Sequence, residues 1–219
     1  MKGRVSRSVV VAGIDVGAPR KGFHAVSLRE GRYHGQCVSA DPVAVAQWCR
    51  EQGARVVAVD APCRWSADGK ARPAEQELRR DGIQCFATPS LESALGHPRD
   101  YYGWMLAGAA LFKELERTHP LYGGGGFGEA CCFESFPHAI AWMLAGGRVS
   151  AREKRVVRTR LLEAAGVRTE ALTSMDLLDA GLCALTAHRA VSGAVHAYGA
   201  SESGWIIVPK MRVVAAAQG

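Results

Sequence analysis

Hydrophobic positions follow two rhythms along this chain. Residues 8–15 are an unbroken run, largely β-branched (Val9, Val10, Val11, Ile14), that ends at Asp15 and predicts a buried strand. Residues 55–60 repeat the pattern, with Val56, Val57, Ala58 and Val59 leading to Asp60 before Ala61-Pro62 stops the run. Residues 22–28 and 32–39 are short apolar segments on either side of a tight turn at Glu30-Gly31, so the first three strands are expected to form an antiparallel meander. Residues 130–136 predict a further strand halted by Pro137, and 195–198 and 205–208 a closing pair.

Helical periodicity fills the spaces between. Asp41 suits an N-cap and Pro42 the first helical position, with Val45, Trp48 and Cys49 on one face and Gly53 as terminator. Further helices are expected over 73–81, 99–117, 138–145, 151–165 and 174–191, the last with Leu177, Leu178, Gly181, Leu182 and Leu185 on or near one side. The glycine-dense residues 123–128 lack the Gly-Lys-Ser/Thr ending of a phosphate-cradling loop and precede a strand, so they read as a connection. There is no internal repeat and no linker. The expectation is a single α/β domain over 1–219: a mixed five-stranded sheet flanked by helices, with a small additional C-terminal strand pair. Its site should lie at the carboxyl ends of the central strands.

Composition narrows this picture only modestly. With 48% hydrophobic and 22% charged residues the chain is ordinary globular material. It has no apolar run of the ~18 residues a membrane helix needs, and a membrane location is not expected. The basic start passes into an apolar run that Asp15 ends without a small-residue cleavage pattern, so it reads as a first strand, not a leader. Seven cysteines are scattered without a Cys-x-x-Cys pair, which fits reduced, buried use in a cytoplasmic protein. A net charge of +6 is compatible with a polyanionic partner and equally with many other enzymes.

The acids carry more information. Asp15, Asp60 and Glu134 each lie within or at the end of a strand that otherwise reads as buried. Stripping water from a carboxylate is costly, and converging carboxylates repel unless a cation neutralises them. Hard divalent ions such as Mg²⁺ or Mn²⁺ do this with oxygen ligands. Asp176 and Asp179, one helical turn apart at the start of an apolar helix, can point at the same sheet edge. The plainer alternative is that Asp176 only complements a helix dipole and that strand-end acids only cap turns.

Gly13-Ile14-Asp15-Val16-Gly17, Val57-Ala58-Val59-Asp60-Ala61-Pro62, and Arg72 with Glu75, Glu77, Leu78 and Arg79 together resemble the domain of unknown function 429 family. Glu134-Ser135-Phe136-Pro137 stands where that family tends to have Glu-x-Tyr-Pro. Asp176-Leu177-Leu178-Asp179-Ala180 resembles its last helix, and Gly204-Trp205-Ile206 with Pro209 its closing strand. Phe136 departs from the family's aromatic hydroxyl, and Ser174-Met175 stands where a further acid is common, a change expected to weaken metal binding.

The family is similar to ribonuclease H-like nucleases, including Holliday-junction resolvases, which place acids on the first strand, on the fourth strand and at the start of the last helix. The resemblance therefore implies a ribonuclease H-like fold and a metal-dependent nuclease acting on DNA or RNA with two Mg²⁺ or Mn²⁺ ions. Asp15, Asp60, Asp176 and Asp179 would be metal ligands, with Glu134 completing the catalytic set. Arg72, Arg79, Lys154 and Arg158 are candidates for phosphate contacts, although the basic stretch 152–160 also reads as a solvated helix. Two other readings stay open: an actin-like ATP-dependent phosphotransferase, for which 219 residues are short, and a non-catalytic nucleic-acid-binding module. Monomer and homodimer are both left open.

Overall fold

The computed structural model describes residues 8–150 and 152–211. The first strand, β1 (Val10–Val16), is buried along its whole length, because both faces of the sheet are covered there. It pairs antiparallel with β2 (Phe23–Arg29), which pairs antiparallel with β3 (Arg32–Ser39). The turn between them places Glu30 and Gly31 at φ 50° and 75°, a two-residue left-handed turn that matches strand twist. Helix α1 (Pro42–Glu51) starts where Asp41 Oδ1 accepts the Val43 N–H at 2.9 Å. Strand β4 (Ala54–Asp60) then returns parallel to β1.

Helix α2 (Pro73–Arg80) follows, then α3 (Leu91–Leu95), a short helix capped by Ser90 that periodicity over five residues is too brief to reveal. The helix expected over 99–117 is a 3₁₀ turn at Asp100–Tyr102 leading into α4 (Gly103–Leu115). Strand β5 (Cys131–Glu134), α5 (Pro137–Ala145), α6 (Lys154–Ala164), α7 (Met175–Val191), β6 (Val195–Ala200) and β7 (Gly204–Pro209) complete the order. Residue 151, in the helix expected over 151–165, lies outside the described residues.

One expectation is corrected. The sheet has seven strands, in the order β3-β2-β1-β4-β5-β7-β6, not five with a separate C-terminal pair. Strand β7 joins β5 in parallel at Glu134 and Ile206, and the Ser135 hydroxyl donates to the Ile207 carbonyl at 2.7 Å. The reason is that residues 120–122 pair only with the Cys132 part of the far β5 edge, and the Glu134 end would otherwise stay unpaired. The apolar run Ile206–Ile207–Val208 buries both of its faces by covering that edge.

Side-chain alternation splits the core into two layers. Ala12, Ile14, Val57 and Val59 pack with Val45 and Cys49 of α1 and Leu111, Phe112 and Leu115 of α4. On the other face, Val11, Val56, Ala58 and Phe133 meet Leu178, Leu182 and Leu185 of α7, with α5 and α6 beside it. Helix α7 lies directly on β1 because Gly13 has no side chain. A Cβ there would sit 2.0 Å from the Ala184 nitrogen and 2.3 Å from the Ala180 carbonyl oxygen. Among the described residues no helix is long and apolar enough to cross a membrane.

Candidate functional site

Register alone brings the first acids together. Asp15 is opposite Asp60 in the parallel β1–β4 pair and opposite His24 in the antiparallel β1–β2 pair. Directly paired residues share a face, so His24, Asp15 and Asp60 form one row across three strands. Asp15 lies two residues beyond Gly13 and so faces α7. Ser174 caps that helix by accepting the Leu177 N–H at 3.0 Å, which fixes where its first turn begins. Asp176 sits in that turn, and ligand atoms of Asp15, His24 and Asp176 all lie within 4.8 Å of one another.

Sequence patterns do not single out His24. It has no metal-binding spacing, and only the β1–β2 register delivers it to the site. Its Nδ1 is buried without a hydrogen-bond partner among the described residues, and its Nε2 is 4.0 Å from Asp176 Oδ2. Lys21 is the nearest cation from the strand-entry loop, with Nζ 3.5 Å from the same oxygen. Asp179 is engaged differently: Arg158, buried on α6, donates from Nε to Asp179 Oδ1.

The electrostatics of the row are unbalanced. Burial, then the charges of Asp179 and Asp176, push Asp15 up to about 7, against the opposing pull of a hydrogen bond with Asp60 and of Lys21. Asp60 is raised well above the carboxylate range by burial and by Asp15 and Asp179, with Arg158 opposing and Glu134 adding a smaller push upward across the sheet. Asp179 is raised by burial, although Arg158 and Lys154 pull it down. Cys183, one turn further along α7, has its thiol pushed up by burial and by these three acids, so it stays protonated. Without a bound cation, then, the pocket holds protons where carboxylates would otherwise ionise.

Glu134 is in a different situation. It pairs in register with Val59, not with Asp60, and therefore points to the sheet face opposite Asp15 and Asp60. Both of its oxygens accept from the Arg72 guanidinium, at 2.8 and 2.6 Å, and one also accepts the Cys63 N–H at 2.8 Å. Arg72 is buried and donates its Nε to Glu75 at 2.8 Å, while Glu75 also accepts the backbone N–H of Thr88 at 3.1 Å. Glu134 and Arg72 saturate each other. They line a cleft at the ends of β4 and β5 together with Asp60, Phe136, Phe86 and Trp104.

The structure thus brings together Asp15, Asp60, Asp176 and Asp179 and sets Glu134 apart. Of the four candidate cations, Arg72 and Arg158 are committed to internal carboxylates. Arg79 is exposed on α2 and donates to the Cys85 carbonyl at 3.0 Å. Lys154 is exposed at the first residue of α6 and forms no ion pair among the described residues.

No curated protein and no solved structure matches the chain. The family described as protein of unknown function, DUF429, matches residues 13–216, nearly the whole sequence, and the chain belongs to that family.

Proposed function

We propose that this protein is a metal-dependent nuclease of ribonuclease H-like fold, hydrolysing phosphodiester bonds of DNA or RNA. The observation that carries the reading is the unbalanced row: four acids from β1, β4 and the start of α7 converge, and the nearby cations Arg158, Lys21 and Lys154 leave Asp15, Asp60 and Asp179 raised. These are the three places where the resemblance to ribonuclease H-like nucleases expects acids. The parallel placement of β4 beside β1, which sets Asp15 against Asp60, supports the same reading.

The donor set fits Mg²⁺ or Mn²⁺. Asp15 and Asp176, with Asp60 beside Asp15 in register, offer hard carboxylate oxygens, and the imidazole of His24, whose Nδ1 has no partner among the described residues, favours Mn²⁺ over Mg²⁺ as a nitrogen ligand. Bound divalent ions would supply charge neutralisation at the phosphate and a more acidic water. The chain supplies the rest. Asp15, at the centre of the row, bridges the contributions of β4 and α7. Arg158 fixes the orientation of Asp179, and Gly13 holds the α7 acids against the strand. Nucleic acid enters over the carboxyl ends of β1 and β4, near the exposed Lys21 and Lys154.

The test is cleavage of labelled single strands, duplexes and branched DNA and RNA with Mn²⁺ or Mg²⁺. Wild type is expected to cut in a metal-dependent way, and Asp15→Asn to lose more than about 100-fold of that rate, since even outer-shell changes at metal sites cost 10–100-fold. Absence of cutting on every substrate, with equal Mn²⁺ affinity in both proteins, would refute the proposal.

A further inference from the structure

Beyond the acid row, a second cavity opens between α5 and the segment that enters α6. Its walls include Trp142 and His138 of α5 with Arg148 and Arg152 of the following segment. Both arginines are exposed, and neither forms an ion pair or hydrogen bond with another described residue. Residues 148–155 carry four cations (Arg148, Arg152, Lys154, Arg155) against the single acid Glu153. Two of these cations, Lys154 and Arg155, occupy the first turn of α6, which contains no acid. A helix N-terminus already bears partial positive charge, so cations there are opposed by the dipole and an anion is favoured.

This cavity is connected to the acid row. The rings of Phe136 and His138 are 5.8 Å apart, and those of His138 and Trp142 are 6.4 Å apart. Phe136 itself lines the cleft that contains Asp60. His138 also has Arg158 and Lys154 as its electrostatic neighbours, the same two cations that act on Asp179. Phe136, His138 and Trp142 thus link the cleft that contains Asp60 to the cavity that Arg148 lines.

We infer that the cavity lined by His138, Trp142, Arg148 and Arg152 is a subsite for an unpaired stretch of the substrate strand. The arginines would hold its phosphates, and Trp142 would take a base on its exposed surface. Rings beside cations are what a single strand requires, since every base has a stacking face and every nucleotide a charge. A duplex would present only phosphates to the rings. The inference takes its substrate class from the nuclease reading, but its test does not depend on cutting.

The experiment is fluorescence anisotropy of short labelled single strands and duplexes in EDTA, where no cleavage occurs. Wild type is expected to bind single strands more tightly than duplexes. Arg148→Ala/Arg152→Ala should weaken single-strand binding and lower the slope of log affinity against log salt by about 0.7 for each phosphate no longer neutralised. Trp142→Leu should weaken binding by about tenfold, the effect of removing one stacked base. Both variants are checked for wild-type melting temperature, and if Trp142→Leu unfolds, the exposed-arginine variant decides alone. Unchanged affinity and salt slope in that variant overturns the inference, as does a wild type that binds no strand or binds duplex better. Displacement of the strand by AMP at equal nucleotide concentration also overturns it, by pointing to a mononucleotide pocket. If Asp15→Asn and wild type bind alike through Arg148 and Arg152 but neither cuts, the nuclease proposal fails and the subsite stands.

Discussion

Two groups of buried and half-buried carboxylates lie near the same end of the sheet, and they are built on opposite principles. Glu75 and Glu134 are each held by Arg72, with backbone N–H groups of Thr88 and Cys63 completing their shells. Asp15, Asp60 and Asp176 sit in a row with more negative charge than their neighbours offset, so that Asp15 is pushed up to about 7. The first group is satisfied by its own guanidinium and backbone donors and needs nothing from outside. The second is stable only with protons or a cation. Burial of an acid therefore does not mark a functional site; an unmet demand for positive charge does.

The sharpest way to break this contrast is to remove the shared partner of the first group. Arg72→Ala leaves Glu75 and Glu134 buried without a counter-charge and should cost about 3–5 kcal/mol, read as a lower urea midpoint. Its effect on Mn²⁺ affinity should be minor, because Glu134 faces away from the row. A large loss of metal binding in folded Arg72→Ala would merge the two groups into one site.

The second group should respond to pH in the opposite sense to an ordinary ion-paired acid. The folded pKa of Asp15 lies above its unfolded value near 4, so the folded state holds more protons between about pH 4 and 7. Stability of the metal-free protein should accordingly fall as pH rises through that window, by on the order of a few kcal/mol. Asp15→Asn should flatten the fall and melt higher than wild type at pH 8 in EDTA. Adding Mn²⁺ at about 100 times its dissociation constant should restore about 2.7 kcal/mol to wild type and nothing comparable to the variant. A wild type whose melting temperature rises from pH 5 to 8 in EDTA would contradict the assignment.

Two smaller changes test how the row is assembled. Gly13→Ala pushes a methyl into the α7 backbone and should cost about 1–3 kcal/mol while weakening Mn²⁺ binding, because α7 must move away from β1. Ser174→Ala removes the α7 cap and should cost about 1 kcal/mol. Melting curves with and without Mn²⁺ separate the two: only Gly13→Ala should also reduce the metal-induced shift.

Much of this is legible from residue patterns. The unbroken apolar runs into Asp15 and Asp60, the Asp41 cap, and the Asp176–Asp179 spacing each rest on interactions within a few residues, which local sequence determines. The order and bounds of most elements follow for the same reason. The exceptions are informative: α3 is too short to carry a period, and the long helix expected before the glycine-rich connection begins as a tighter 3₁₀ turn at Asp100.

What the tertiary structure decided was pairing. The sequence places Glu134 at the end of an apolar strand just as it places Asp60, yet a one-residue difference in the β4–β5 register turns Glu134 to the opposite face, toward Arg72. The same kind of choice delivers His24 to Asp15 across the β1–β2 hairpin and joins β7 to the edge of β5. Side chains alternate with period two along a strand, so whether an acid meets a metal row or an arginine depends on which residue it pairs with across the sheet. That information lies in long-range packing, such as the close approach of α7 to Gly13, and no local pattern contains it.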